Sequence, residues 1–218
     1  MPEPATRNTT RHREAGAASR AETRRRLLTA AGTEFAERGY HAATVSRIAA
    51  RAGVTVQTLY LAWGSKRALL RAHLDAALSG DPDRPYADEL PHLLAHALDG
   101  GAPDARATVR QFAHLYRGLA ERAALGWRLY RDAAASDPEI AADWQTLQHL
   151  RHQTFAEFLR RVPATSLRAG LTPDTATDTA WAIASPETYE LLVGTARYTL
   201  DRYEQWVATT LSAALLAH

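Results

Sequence analysis

The chain has 218 residues, 46% of them hydrophobic and 23% charged, with a formal net charge of +2; this is the make-up of a soluble globular protein of one large domain or two small ones. No apolar run approaches the ~20 residues of a membrane-spanning helix, and the opening MPEPATRNTTRHREAGAASR lacks the apolar core of a secretory signal. Without cysteine there is no disulfide framework, thiolate zinc site or cysteine nucleophile, and a cytoplasmic location without membrane association is expected.

The net charge hides an asymmetry. Residues 1–70 carry 12 Lys/Arg and 5 Asp/Glu, whereas residues 71–218 carry 14 and 19. A basic first third on an acidic remainder points to a polyanion at one end. A disordered basic tail over residues 1–18 accounts for only part of it, because the segment up to Leu70 stays basic without the tail.

The hydrophobic period is helical nearly throughout, with Gly and Pro punctuation between stretches. Ser19 and Glu22 form a candidate capping box for a first helix carrying Leu27, Ala31 and Phe35, stopped by Gly39. Thr44 is placed to cap VSRIAARA, Thr55 to cap VQTLYLAW, and Ser65 to cap KRALLRAHLDAAL. SGDPDRP then marks a boundary. ADELPHLLAHAL reads as a short helix interrupted by Pro91. A long stretch follows from Asp104 to about Ala135, in which Gly118 and Gly126 each cost about 1 kcal/mol against alanine and allow a break. Asp137–Pro138, Thr172–Pro173 and Ser185–Pro186 repeat one helix-start signal. A last amphipathic helix bears Leu200, Tyr203, Val207, Leu211 and Leu215 on one stripe. The expected architecture is all-α, with about nine or ten helices.

Helix, turn and helix from Thr44 to Trp63 have the dimensions of a DNA-reading helix-turn-helix. Ile48, Ala49, Ala52, Val54 and Leu59 supply small apolar contacts, and Gly53 sits at the turn. With Leu59, Ala62 and Trp63 inward, the outer face presents Gln57, Thr58, Tyr60 and Leu61. Gln57 suits an adenine edge and Leu61 a thymine methyl. The hydroxyls of Tyr60 and Thr55 suit phosphate oxygens. A plain three-helix packing module is the competing reading.

TVSRIAARAGVTVQTLYLAWGSKRALL resembles the N-terminal domain of TetR-family transcriptional regulators, through the Thr opening its second helix, IA..AGV, TLY, and a lysine followed by a leucine pair. The similarity covers roughly Thr23 to Leu78. It implies a helix-turn-helix DNA-binding domain over 19–78, including the connecting fourth helix, and a helical effector-binding and dimerisation domain over 79–218. By residue matching, Thr44, Thr55, Gln57, Thr58, Tyr60, Leu61 and Lys66 fall at DNA-facing positions, with Ser46 and Arg47 as additional contacts. It also implies a homodimer on a double-stranded palindromic operator, acting as a repressor and released by a small-molecule effector. The family often has an aromatic, a histidine and a phenylalanine after TLY; here stand Leu61, Ala62 and Trp63, and Ala62 lacks the histidine's hydrogen bond.

Lys66 is the only lysine; the other 25 basic residues are arginines. It lies with Arg67 in the first turn of a helix, where cations oppose the dipole. A phosphate held by the helix end and a compact ammonium would explain that placement.

In the second part, the helix from Pro138 to about Val162 lines up Ile140, Trp144, Leu147, Phe155, Phe158 and Val162. Arg151 falls inside that stripe and Gln148 at its edge. A buried arginine needs a partner: either a structural acid such as Asp132 or Glu190, or a ligand with an anionic or carbonyl group. Tyr116, Trp127 and Tyr130 could face the same space as pocket walls or be plain core. The candidate effector residues are therefore Tyr116, Trp127, Tyr130, Trp144, Gln148, Arg151 and Phe155. His92 with His96, and His149 with His152, read as surface histidines rather than metal ligands. No nucleophile–base pair or cofactor loop is apparent, so neither an enzyme nor a cofactor is expected. An all-α enzyme or a helical protein-interaction module using the aromatic cavity remains the alternative. The stripes near Leu191–Val193 and Leu200–Leu215 suggest a two-fold four-helix interface.

Overall fold

A computed structural model describes residues 4–82, 85–86 and 104–217. The helix expected at ADELPHLLAHAL and the His92–His96 pair lie outside these residues. The described chain is helical without a β-strand, apart from one isolated bridge between Leu167 and Leu216. None of its helices is long and apolar enough to cross a membrane. It divides into two compact units, Met1–His73 and Leu74–His218.

The first unit is built on α1 (Pro4–Ala42), α2 (Val45–Ala52), α3 (Val56–Trp63) and the start of α4 (Lys66–Ser79). Helix α1 begins inside the stretch read as a tail and breaks at Gly39. It therefore runs through Ser19, and the expected capping box does not form. Ser19 instead offers its carbonyl to the Thr23 hydroxyl, and Glu22 pairs with Arg25 at 2.8 Å. The next caps form as the side chains dictate. The Thr44 hydroxyl accepts the Arg47 N–H, Thr55 that of Thr58, and Ser65 that of Ala68. Gly53 closes α2 at φ 66° and ψ 38°, left-handed backbone that a side chain resists. Leu27, Phe35, Ile48, Leu59, Leu69 and Leu70 are fully buried, each such side chain contributing about 1.5–3 kcal/mol.

The second unit contains α5 (Ala105–Ala134), α6 (Pro138–Leu159), α7 (Pro173–Ile183), the single turn α8 (Pro186–Tyr189) and α9 (Leu200–Leu215). A 3-10 turn covers Ala164–Ser166, and a π-helical segment, Glu190–Thr195, follows α8. Helix α5 packs on α6, α8 and α9; α7 packs on α6 and α9. Asp104, Asp137, Thr172, Ser185 and Thr199 cap the helices that follow them. Gly118 and Gly126 do not break α5. A Cβ on Gly126 would stand 2.9 Å from Leu74 Cδ1 and 3.5 Å from its Cα, so glycine is there for a close helix approach. The α9 stripe also needs correction as an interface. Tyr203, Val207, Leu211 and Leu215 are fully buried within the unit, because their apolar face is consumed by α5 and α7.

Candidate nucleic-acid interface and ligand cavity

In the first unit, α1 bolts the helix-turn-helix at its carbonyl ends. The Arg26 guanidinium donates to the Ala52 carbonyl and, at 3.5 Å, to that of Gly53, at the C-terminus of α2. Arg24 donates to the Ala62 carbonyl near the end of α3 and lies 3.7 Å over the Trp63 ring, whose Nε1–H returns a bond to the Arg24 carbonyl at 3.3 Å. Cations at the last carbonyls complement the helix dipole. Fixed this way, α3 turns Leu59 inward and leaves Gln57, Tyr60 and Leu61 exposed, with Thr58 half-buried. Leu61 is 82% exposed, an apolar side chain left in water on the face opposite the buried Leu59. Thr44, Ser46 and Arg47 are exposed on α2 and Thr55 at the start of α3. The Thr44 and Thr55 hydroxyls are engaged as caps.

Behind this face, Glu34 is 3% exposed and gathers Arg51 at 2.8 Å, Arg38 at 3.2 Å and Arg47 at 3.4 Å. Burial pushes its carboxyl upward; the hydrogen bond and charge of Arg51, with Arg38 and Arg47, more than reverse this and hold it below its ordinary value. The acid thus orients Arg47, whose side chain stays 51% exposed. Lys66 departs from the sequence reading. Its half-buried ammonium donates to the carbonyls of Tyr40 at 2.9 Å and Ala43 at 3.0 Å, and stands 4.2 Å over the Tyr40 ring. It ties the start of α4 to the end of α1.

In the second unit, Tyr86, Phe112, Tyr116, Trp127, Arg151, Thr154 and Phe155, with Leu78, Leu115, Leu119 and Ala120, enclose a cavity of about 20 Å³, room for about one water. Four expected residues line it: Tyr116, Trp127, Arg151 and Phe155. Trp144 stands behind, edge-on to Trp127 at 5.8 Å, and Gln148 accepts from Arg151 Nε at 3.0 Å. Tyr130 is fully buried but does not line the cavity. Sequence reasoning missed Tyr86 and Thr154, whose hydroxyls meet at 3.3 Å. Tyr86 follows the boundary stretch, and no local period connects it to α6. Phe112, one turn before Tyr116 on α5 and stacked with it at 5.8 Å, completes the wall.

The structural ion pair expected for Arg151 does not form. Asp132 and Glu190 both face Arg131, at 3.3 and 2.8 Å. Arg151 Nη1 instead donates to the carbonyls of Trp181 at 3.1 Å and Ala184 at 3.3 Å, at the end of α7. Burial pulls the guanidinium below its ordinary value, opposed by Tyr116 and Glu187, and arginine stays charged. Burial raises the Tyr116 hydroxyl, although that residue keeps some exposed surface. Burial likewise pushes Tyr86 up to about 12. His149 is exposed beside Gln153 and His152 pairs with Asp178 at 2.8 Å. A larger open groove of about 800 Å³ runs between α5 and α9. There Arg117 pairs with Asp201 and Glu204, His114 lies 3.1 Å from Glu204, and Arg106 donates to the Ala217 carbonyl.

Residues 27–73 match the family model described as bacterial regulatory proteins, tetR family. Over 128 residues, 56% of this chain, the sequence is 33% identical to the HTH-type transcriptional activator FasR of Mycolicibacterium smegmatis, of which it spans 52%. The chain spans about half or less of the length of the curated relatives it matches. Its fold resembles that of NalD of Pseudomonas aeruginosa, the secondary repressor of the MexAB-OprM multidrug efflux pump, with a TM-score of 0.70 at 19% identity over 90% of this chain and 98% of that one. It also resembles a transcriptional regulator from Saccharomonospora viridis solved with choline, with a TM-score of 0.67 at 20% identity over 91% and 100%. At these identities the structural likeness speaks for the fold alone.

Proposed function

We propose that this chain, whose residues 27–73 match the tetR-family model and whose fold resembles that of NalD, is a ligand-responsive DNA-binding transcriptional repressor. It acts as a homodimer on a palindromic operator and lets go when a small molecule binds the second unit. The observation that carries the reading is the outer face of α3. Gln57, Tyr60 and the 82%-exposed Leu61 stand out from a helix anchored at both ends. In this reading Gln57 and Leu61 read base edges. Thr44, Ser46, Arg47, Thr55, Thr58 and Tyr60 hold the phosphates, and Lys66 holds the frame.

The dimer forms through the outer surfaces of the C-terminal helices. Leu191 is 61% exposed, and Trp206, Thr210 and Ala214 form a half-buried flank of α9. Selection from a random duplex pool tests the function directly. The expected product is a palindrome whose half-sites lie whole helical turns apart, bound with an affinity that falls steeply with salt. A pool that enriches no sequence overturns the reading.

A further inference from the structure

We infer that the cavity of the second unit receives the carboxylate of a mostly apolar small acid, with Arg151 as its counter-charge and the hydroxyls of Tyr116 and Tyr203 as its polar neighbours. This rests on the reading of the second unit as the effector-binding one and specifies the effector's chemistry. Arg151 is 4% exposed, and its one acidic neighbour among the described residues, Glu187, acts on it by charge without a direct ion pair. Its described acceptors are neutral: the Gln148 amide oxygen and two backbone carbonyls. The C-terminal dipole of α7 offsets about half a charge. A buried cation without a counter-ion is costly.

A second group points the same way. The Tyr203 hydroxyl is fully buried and has no hydrogen-bond partner; Tyr203 lies behind the cavity walls, its ring edge-on at 5.1 Å to Tyr189, which lines the outer cleft. A buried donor without an acceptor is rare; a carboxylate oxygen is an acceptor of the right kind. With a single cation at the site and Glu187 already acting on it, a phosphate dianion would leave more negative charge uncompensated than a carboxylate would. Beyond the polar end the walls are Phe112, Leu119, Trp127 and Phe155, which suit an apolar body. The enclosed space holds about one water, so the body enters by repacking. Trp127 also lines an outer cleft of about 330 Å³ beside Arg128, Tyr189 and Val193. Trp127 is the residue that the two linings share, so a shift of its indole would connect them.

The test is calorimetric titration of the full chain with 2-naphthoate and decanoate against 2-naphthalenemethanol and 1-decanol, which share their bodies but carry no charge. At least one acid is expected to bind roughly tenfold or more tightly than its alcohol, the scale of charge-assisted hydrogen bonds. Arg151→Gln should erase that preference. Tyr203→Phe guards against a folding artefact. It should leave the melting temperature unchanged or higher, since it removes an unpartnered hydroxyl, while weakening the acid several-fold. Equal binding of acid and alcohol, or a preference kept in Arg151→Gln, overturns the carboxylate and leaves an apolar effector site standing. Binding of chloride that excludes the acids overturns it in favour of an inorganic ion. Failure of all four probes to bind overturns both readings.

Discussion

Lys66 stands out in the sequence, and its ammonium donates to two backbone carbonyls of the same unit. Its isolation in an arginine-rich chain and its place at a helix start were legible in sequence. The acceptors were not, because Tyr40 and Ala43 lie across a break at Gly39. A compact ammonium bonds two converging carbonyls under an aromatic face; a planar guanidinium does not fit the same three partners. Lys66→Ala is therefore expected to cost about 1–3 kcal/mol of stability in chemical denaturation, and Lys66→Arg to restore only part of it. The salt slope of DNA binding should stay unchanged; a slope flatter by about one at unaltered stability would return the ammonium to a phosphate. Leu61→Ala should behave oppositely. An 82%-exposed side chain contributes within about 0.5 kcal/mol to folding, so the melting curve should hold while operator affinity falls several-fold. Glu34 adds a pH signature. Its carboxyl is lowered from an ordinary 4.5, so its contribution is complete above that value and is lost as pH falls through the lowered one. Glu34→Gln should remove this acid-side dependence from the melting temperature.

At the scale of the element, helix starts were the most legible feature, because a cap is a local event. Thr44, Thr55, Ser65, Asp104, Asp137, Thr172 and Ser185 each bond an N–H two or three residues ahead. Ser19 carries the same signal and fails, since α1 is already helical upstream and its N–H groups are spoken for. Period identifies an apolar face without saying what covers it, which is why the α9 stripe read as an interface and proved to be interior. The two α5 glycines separate propensity from packing. Gly118→Ala meets only the tip of Arg122 at 3.2 Å and should stabilise by up to about 1 kcal/mol. Gly126→Val drives into Leu74 and should destabilise by about 1–3 kcal/mol. Paired urea denaturation curves distinguish the two.

For the molecule as a whole, the charge asymmetry and the helix-turn-helix were legible from residues 1–70, where spacing and contacts are short-range. The cavity was legible only in part. Arg151 and the α6 stripe lie on one helix, so a period reveals them. Tyr86 comes from a distant position, and only packing against α6 brings its hydroxyl to that of Thr154. The dimer is testable by sedimentation. The wild type should be dimeric at micromolar concentration, and Leu191→Asp, which places a charge on a 61%-exposed apolar position, should weaken the dimer. If that surface is the interface, operator binding should weaken in step while each unit keeps its melting behaviour.

The segment Glu190–Thr195 carries one more consequence. Its Ala196 N–H reaches back to the Leu191 carbonyl at 2.8 Å, the five-residue span of a π turn, which is rare and concentrated at functional sites. Such a turn is an α-helix storing one surplus residue. Elsewhere in the second unit, loss of a residue would rotate everything downstream by about 100° and turn a buried face outward. Here the segment runs out into the non-helical residues 196–199 before α9 begins, so a lost residue need not rotate that helix. The wall beside the outer cleft is thus the place where chain length can change without disturbing the helices that meet there.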